Sequence, residues 1–208
     1  MPISTTIYLV RHGETDWNVQ HKYQGSTDIP LNAVGREQAA KLGAWLAEDP
    51  ARFPGTGIIS SPLSRALVTA QAVADARGIA RGAILTDPDV QERSYGVAEG
   101  FTLEEREARW PEANWAGLEP WEHVATRAMR ALGHVRAARP DAETFIVCHG
   151  GLINAILAEL SGGEIGTGKT TIINTSISTI TYDGLGSYWS IAAYNEIPHL
   201  DRDPVAAD

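Results

Sequence analysis

The sequence predicts an α/β fold, in which helices cover a largely parallel β-sheet. Short apolar runs rich in β-branched residues alternate along the chain with longer segments of helical periodicity. Two of the apolar runs end at a histidine followed by glycine, which is typical of parallel strands that end at a ligand site. With 208 residues, 43% of them hydrophobic, the chain can bury a substantial core. We therefore predict a single domain over residues 1–208.

Residues typical of helix starts and helix ends mark the elements predicted in the first half of the chain. Asn32 is the expected N-cap of a helix whose apolar residues recur every three to four positions. The next helix is expected to have Pro62 in its first turn and Gly78 just past its end. The predicted elements are, in order, strand 5–10, helix 32–47, strand 57–60, helix 61–78 and strand 84–92.

The second half is predicted to be helical first and β-rich at its end. Thr102 stands three residues before Glu105, which is the spacing of a capping box at a helix start. Asp183 and Gly184 predict a turn between two terminal strands, and the polar tail from Pro198 is expected to be loosely held. The predicted elements are helical segments within 102–139, strand 143–150, helix 151–160 and strands 170–183 and 187–194.

One glycine-rich stretch, GEIGTGKT at 163–170, fits the nucleotide-binding loop pattern G-x-x-x-x-G-K-[ST]. A working loop of that kind follows a strand and begins a helix, so that its amides face the phosphates. This stretch instead follows a predicted helix and precedes β-branched residues typical of a strand. We interpret it as a helix-to-strand connection in which Lys169 is solvated.

Composition excludes several classes of partner. The net charge of −9 argues against nucleic acid as a ligand, although a few converging arginines can still bind a small anion. No apolar run approaches the roughly 20 residues of a membrane-spanning helix, and the N-terminus lacks the pattern of an export signal. Cys148 is the single cysteine, which suits a reducing compartment and predicts an inert buried thiol. We therefore expect a cytoplasmic protein without a membrane partner.

The residues that can carry chemistry follow the predicted strands. Arg11 and His12 end the first strand, and His149 ends the strand over 143–150. Arginine binds anions through planar, paired hydrogen bonds. Arg65 lies near the start of a helix that follows a strand, and Glu92 ends the predicted strand over 84–92. A lone strand-end histidine is usually structural, but two such histidines could converge at one edge of the sheet.

Together these segments resemble the histidine phosphatase superfamily, also called the phosphoglycerate-mutase-like family. The resemblance implies a three-layer α/β/α sandwich with a mostly parallel central sheet and a helical lid around 93–125. The ordered set of segments, rather than the RHG triplet alone, carries the resemblance. The matching segments are IYLVRHGETDWN, YQGSTDIPLNAVGREQA, SSPLSRALVTAQAV, QERSYGVAEG and FIVCHGG.

The resemblance implies roles for individual residues. His12 would attack phosphorus to form a phosphohistidine, and Glu92 would protonate the leaving oxygen and then activate water. His149 would act with them, and no metal or cofactor would be needed because the basic residues supply the positive charge. Glu14 would give a supporting hydrogen bond. The phosphate oxygens would be bound by Arg11, Asn18, Arg65 and His149.

Further residues are expected to line the substrate pocket. Gln24, Gly25, Tyr95 and Gly150 stand in or beside the matching segments. Aromatic side chains can form a wall for an organic leaving group, although at such positions they are often part of the core. The candidates for this wall are Trp17, Tyr23, Tyr95 and Trp115.

Two activities divide the family, and the sequence favours one. Mutases usually carry a lysine after the catalytic glutamate, where this chain has Leu103, and an adjacent arginine pair that residues 100–125 lack. A glycine pair follows His149, as in many phosphatases. We predict a metal-independent histidine acid phosphatase-type enzyme acting on a small phosphorylated metabolite. The alternative is a phosphoglycerate mutase dependent on 2,3-bisphosphoglycerate; a nucleoside triphosphatase and a non-catalytic phosphate-binding protein remain as further alternatives. Natural substrate and oligomeric state stay open.

Overall fold

The computed structural model describes residues 4–200. A six-stranded sheet forms its centre, and helices pack on both faces. The strands are β1 (Ser4–Arg11), β2 (Gly57–Ser60), β3 (Leu85–Thr86), β4 (Glu143–Cys148), β5 (Ile177–Asp183) and β6 (Tyr188–Glu196). The helices are α1 (Asp16–Val19), α2 (Ala33–Glu48), α3 (Ser64–Ala76), α4 (Leu103–Arg109), α5 (Trp121–Ala138) and α6 (Gly150–Leu160).

The order of strands across the sheet is β3-β2-β4-β1-β5-β6. The pairs β2–β3, β2–β4 and β1–β4 are parallel, whereas β5 runs antiparallel to β1 and β6 antiparallel to β5. The predicted, mostly parallel sheet is therefore confirmed. Because β1, β2 and β4 are adjacent and parallel, their carboxyl ends meet at one edge, where α/β sheets bind ligands.

Alternating side chains of the central strands divide the core into two layers. Ile7 and Leu9 of β1 pack against α5 and α6, while Tyr8 and Val10 pack against α2 and α3. Strand β4 alternates in the same way. Both faces of the parallel strands are thus buried, which explains why they read as continuous apolar runs in the sequence. The three-layer α/β/α architecture is confirmed.

Three predicted elements differ from the structure. Of the strand predicted over 84–92, only Leu85–Thr86 (β3) is extended. Pro88–Val90 forms a 3₁₀ turn instead, at whose start the Asp87 side chain accepts a hydrogen bond from the Asp89 amide. Glu92 therefore lies on a loop and not at a strand end. The helix predicted over 61–78 begins only at Ser64, so Pro62 precedes it.

The strand predicted over 170–183 begins only at Ile177. Thr175 has a φ of 59°, in the left-handed region that interrupts an extended strand. Its amide donates to the Arg11 carbonyl at 3.0 Å. The segment therefore turns toward the end of β1, and its β-branched composition alone could not predict this.

The glycine-rich stretch 163–170 lies between the end of α6 and the start of β5, so its interpretation as a helix-to-strand connection is confirmed. Lys169 is exposed and its ammonium donates to the Gly163 carbonyl. The segment follows a helix and begins none, so its amides do not form a phosphate-binding loop of the nucleotide-binding kind.

Near the C-terminus the prediction of a loosely held tail is wrong for the described residues 198–200. His199 is 2% exposed, and its ring lies against Trp45 and hydrogen-bonds to the Thr175 hydroxyl. Residues 201–208 lie outside the described residues. Within residues 4–200, no helix is both long and apolar enough to cross a membrane.

Gly13 and Gly35 bring the loop after β1 against the start of α2, and a Cβ on Gly13 would lie 2.4 Å from the Gly35 carbonyl oxygen. A Cβ on Gly35 would lie 2.0 Å from the Glu14 carbonyl oxygen. We expect Gly35→Ala to lower the free energy of unfolding by about 1–3 kcal/mol or more, because backbone must move to admit the methyl group. Urea unfolding measures this change.

Gly133 in α5 is the matched control, because a Cβ there would meet no heavy atom within 4 Å. We expect Gly133→Ala to raise the free energy of unfolding by about 0.5–1 kcal/mol, since alanine is the better helix former. Equal changes in the free energy of unfolding for the two substitutions would show that the close approach at Gly35 does not affect stability.

Candidate active site

A small cavity of about 120 Å³ opens at the edge where β1, β2 and β4 end. Eight of the ten residues predicted for the site line it; Lys22 and Tyr23 complete the lining. The eight are Arg11, His12, Asn18, Gln24, Gly25, Arg65, Glu92 and Tyr95. A larger cavity of about 390 Å³ lies beside β2 and α5, but apolar side chains dominate its lining. The convergence of basic side chains and imidazole therefore marks the smaller cavity as the candidate site.

His12 is held in one tautomer. Its Nδ1 lies 2.6 Å from the Gly13 carbonyl oxygen, which can only accept, so Nδ1 carries the proton and Nε2 is bare. The ring is 3% exposed. Burial, followed by the charges of Arg11 and Arg65, lowers the pKa of His12 well below its ordinary value. The imidazole is therefore neutral, with a free electron pair at Nε2.

Two arginines, Arg65 fully buried and Arg11 half-buried, supply the positive charge of the cavity. Arg65 is 0% exposed and donates to the carbonyls of Gly25 at 2.8 Å and Thr27 at 2.9 Å. Arg11 donates to the Ile172 carbonyl. Burial lowers the pKa of both, that of Arg11 to about 10, which leaves Arg11 charged at neutral pH. The Arg65 guanidinium keeps its charge because arginine is not deprotonated in proteins. Within residues 4–200, the Nε of each arginine has no hydrogen-bond partner, which leaves donors for a bound anion.

His149 lies directly behind His12, with 5.1 Å between the ring centroids. It is fully buried, and its Nε2 lies 2.8 Å from the Ser61 hydroxyl, while Nδ1 has no partner in the described part of the chain. Burial lowers its pKa well below the ordinary value, and nearby Arg65 lowers it further. Gly150 does not line the cavity as predicted; a Cβ there would lie 3.4 Å from Arg11 Nε, so Gly150 makes room for that side chain.

The Glu92 carboxylate is fixed by the first turn of α6. It accepts from the amides of Gly151 at 3.0 Å and Leu152 at 3.2 Å, where the positive end of the helix dipole favours an anion. Arg127 donates to the Glu92 carbonyl at 3.1 Å and so holds the backbone of the loop. Glu92 thus reaches the cavity from a loop that is anchored at two points.

Asn18 presents its amide group in a fixed orientation. Its Oδ1 accepts from the amide and the hydroxyl of Thr15, each at 3.0 Å, which leaves the NH₂ group as the donor for a ligand. Glu14 accepts from the Asn32 side chain at 2.9 Å and connects the loop after β1 to α2. The contact agrees with the supporting hydrogen bond expected of Glu14.

The predicted aromatic wall is only half present. Tyr23 and Tyr95 line the cavity, with 4.5 Å between their ring centroids. Trp17 and Trp115 do not line it. Trp115 donates its indole N–H to the Tyr95 carbonyl and stacks on Trp110, so it supports the wall from behind.

Sequence reasoning missed four residues at or behind the cavity. Ser61 directly follows β2, the same strand-end position that identified the histidines, so that signal could have found it. Lys22 directly precedes the segment that begins at Tyr23, and no motif marks it. Asn174 donates to the His12 carbonyl at 2.9 Å, and no sequence signal marks it. Glu99 accepts from the amides of Ser26, Thr27 and Tyr95, and so fixes the turn whose carbonyls hold Arg65.

The buried neutral histidines predict how stability depends on pH. Because the folded state lowers the pKa of His149, the unfolded chain binds the proton more readily below about pH 6.5. Stability is then complete above that pH and falls as the pH is lowered, by about 1.4 kcal/mol per pH unit for each such histidine. Urea unfolding across this range, on wild type and His149→Asn, measures the slope. His134→Gln, at an exposed position, is the control; an unchanged slope in His149→Asn would contradict the prediction.

Comparison with known proteins agrees with this geometry. Residues 7–197 match the family model of the histidine phosphatase superfamily (branch 1). Uncharacterized phosphatase PhoE of Bacillus subtilis is 40% identical, covering 94% of this chain and 97% of that protein. Probable phosphoglycerate mutase GpmB of Proteus mirabilis is 32% identical, covering 93% and 94%.

Among solved structures, the mycobacterial glucosyl-3-phosphoglycerate phosphatase in complex with VO₃ is similar, with a TM-score of 0.79 and 27% identity. The match covers 92% of this chain and 99% of that one. Sequence family, overall fold and the strand-end cavity therefore agree. The chain belongs to the histidine phosphatase superfamily (branch 1).

Proposed function

We propose that this protein is a metal-independent phosphomonoester hydrolase that works through a phosphohistidine on His12. One observation carries the proposal: a neutral imidazole with a bare Nε2 faces a cavity that also contains two arginines and one carboxylate. That set holds a nucleophile, an anion-binding group and a proton donor within about 120 Å³. The substrate we propose is a small phosphorylated metabolite in the cytoplasm.

In the first step, Nε2 of His12 attacks phosphorus and the P–O ester bond breaks. The electron pair leaves with the ester oxygen, which takes the proton of Glu92. Nδ1 keeps its own proton because it donates a hydrogen bond to the Gly13 carbonyl, so the ring does not turn during the transfer. The product of this step is a phosphohistidine and a free alcohol.

The non-bridging oxygens of the phosphoryl group carry the charge that must be stabilised. Arg11 and Arg65 offer their unpaired Nε donors to these oxygens. Asn18 offers its NH₂ group. The Ser61 hydroxyl can donate a hydrogen bond to Nε2 of His149, and the imidazole proton then lies on Nδ1. In that tautomer the Nδ1–H group of His149 can serve as a fourth donor.

In the second step, the Glu92 carboxylate accepts a proton from water while the water oxygen attacks phosphorus. The P–N bond breaks, its electron pair returns to Nε2, and orthophosphate leaves. Glu92 ends protonated, ready for the next ester. The two steps therefore use one carboxylate in both directions, first as acid and then as base.

The lid side chains support a phosphatase rather than a mutase. A mutase must retain a bisphosphate and needs cations at both ends of it. Arg93 and Arg106, however, are already engaged: Arg93 lies 4.1 Å from the Trp121 ring centroid, and Arg106 pairs with Glu107 at 3.0 Å. Relatives named as phosphatase and as probable mutase both match this chain, so the distinction depends on this local chemistry.

A two-channel assay tests the proposal. Purified protein with EDTA receives 3-phosphoglycerate and a trace of 2,3-bisphosphoglycerate, and both 2-phosphoglycerate and orthophosphate are followed. A parallel panel of phosphomonoesters includes p-nitrophenyl phosphate. We expect phosphate release without isomerisation. Rapid isomerisation would make the protein a mutase, and no hydrolysis of any monoester would overturn the proposed function.

A further inference from the structure

Two side chains hold the peptide group between His12 and Gly13, and the chemistry proposed above uses neither. Thr69 in α3 is fully buried, and its hydroxyl oxygen accepts from the Gly13 amide at 3.1 Å. The same hydroxyl donates its proton to the Arg65 carbonyl at 2.8 Å, which leaves its oxygen lone pairs for the Gly13 amide. On the other side, the Asn174 side-chain amide donates to the His12 carbonyl at 2.9 Å. Because a peptide group is planar, the two hydrogen bonds fix this plane from both edges.

A third side chain holds the next peptide group, between Gly13 and Glu14. Gln38 in α2 accepts from the Glu14 amide at 2.9 Å through its side-chain oxygen. The carbonyl of this same peptide group is the one that accepts from Nδ1 of His12 at 2.6 Å. Gln38 is therefore connected to the His12 ring through a single rigid peptide group.

Gly13 is a position that needs such support. A Cβ there would lie 2.4 Å from the Gly35 carbonyl oxygen, so a larger residue fits only if backbone moves. Glycine, however, has the widest choice of backbone conformations, and a rotation at Gly13 would turn its carbonyl away from the ring. We use the term Gly13 clamp for the side chains of Gln38, Thr69 and Asn174, which come from α2, α3 and the segment before β5. Three separate parts of the fold thus meet at one glycine.

We infer that the residues of the Gly13 clamp are positioning residues, which set the tautomer and the orientation of His12. The inference rests on the proposed function, in which His12 is the nucleophile. With the clamp in place, the Gly13 carbonyl holds the proton on Nδ1, and the electron pair of Nε2 faces the cavity. Without the clamp the carbonyl can turn away and the proton can move to Nε2, which then cannot attack phosphorus. The clamp therefore controls the rate of phosphoryl transfer rather than the binding of phosphate.

Two pairs of variants of similar shape test the inference by rapid quenching with a labelled monoester. Gln38→Leu and Thr69→Val remove the accepting oxygen, whereas Gln38→Glu and Thr69→Ser keep one. We expect each of the first two to slow phosphoenzyme formation by about ten- to a hundredfold, with inhibition by orthophosphate within about twofold of wild type. The second two should recover most of the rate. Asn174 is left out of this test because its amide also lies 3.5 Å from Oδ1 of Asn18, which is expected to contact the phosphate.

Nitrogen-15 NMR of the histidine side chains gives a readout that a purely structural role would not change. The His12 signals are identified by their loss in His12→Ala. Wild type should show a single His12 tautomer, with Nδ1 protonated and Nε2 bare, because Nδ1 donates to the Gly13 carbonyl. Gln38→Leu and Thr69→Val should show a mixture of the two tautomers, and the conservative variants should restore the single one.

A matched control separates the clamp from general effects on the fold. Thr126 in α5 donates to the carbonyl of Glu122 at 2.7 Å, as Thr69 does to that of Arg65, and Thr126→Val should behave as wild type. Gln38 is only partly buried, so Gln38→Leu provides a folded variant even if Thr69→Val unfolds.

Two results would overturn the inference: an unchanged rate of phosphoenzyme formation in Gln38→Leu, or a slowed rate while His12 keeps its single tautomer. Failure of the wild type to hydrolyse any monoester would instead refute the proposed function. The tautomer comparison would still test the clamp in that case, because it needs no substrate.

Discussion

Replacing His12 with alanine is expected to abolish turnover, with a fall in kcat of at least about 10⁴-fold, because the substitution removes the proposed nucleophile. Rapid quenching of wild type with a ³²P-labelled monoester should trap a phosphoenzyme that is labile in acid and stable in base, as phosphohistidine is. The His12→Ala protein should acquire no label. Activity and labelling are measured on the same preparations.

Two other histidines make the result specific. His134 is exposed on α5, and His134→Ala should label and turn over as wild type. His149 lies against His12, so His149→Ala should slow the labelling without abolishing it, since one oxygen-binding donor is lost while the nucleophile remains. Label that persists in His12→Ala and disappears in His149→Ala would move the nucleophile to the second ring.

Replacing Glu92 with glutamine is expected to reduce steady-state turnover by about 10²–10⁴-fold, since proton transfer to and from the reacting oxygen is lost. The glutamine carbonyl can still accept from the α6 amides, so the fold should be kept. With p-nitrophenyl phosphate, whose leaving group needs little protonation, we expect a burst near one product per active site. Slow turnover then follows, because water must attack the phosphohistidine without the Glu92 carboxylate as general base.

Leaving groups of different basicity distinguish this role from a structural one. The loss in Glu92→Gln should be larger for an alkyl phosphate than for p-nitrophenyl phosphate in the first step. Glu122→Gln, an exposed carboxylate on α5, is the matched control and should retain full turnover. Equal losses on both substrates without a burst would mean that Glu92 only supports the fold.

Much of the fold, and the placement of both site histidines, could be predicted from position along the strands. His12 and His149 each follow a buried apolar run, and parallel neighbours bring such ends together whatever the loops do. The same logic, applied to the end of β2, would have found Ser61. The glycine-rich stretch 163–170 is correctly predicted to be a helix-to-strand connection. The elements on either side of it, rather than its match to the nucleotide-binding loop pattern, decide whether its amides can converge on a phosphate.

What could not be predicted depends on loops. Glu92 was expected at a strand end, yet Pro88 forces a turn before it and the carboxylate reaches the cavity from an anchored loop. Glu99 has no distinguishing neighbour in the sequence, and its role emerges only because the distant amides of Ser26 and Thr27 join that of Tyr95 in donating to it. Trp17 and Trp115 look equivalent to Tyr23 by composition, but tertiary packing keeps both out of the cavity lining.

The contact between Glu92 and α6 has a spectroscopic consequence. His149, the N-cap residue of that helix, offers no side-chain cap, so the carboxylate from a distant loop takes that place. Every proton that Glu92 gains or loses must change the electron density on the Gly151 and Leu152 amides. The ¹H–¹⁵N resonances of these two amides therefore report whether the Glu92 carboxylate is protonated. They can be measured on the resting protein and on the trapped phosphoenzyme.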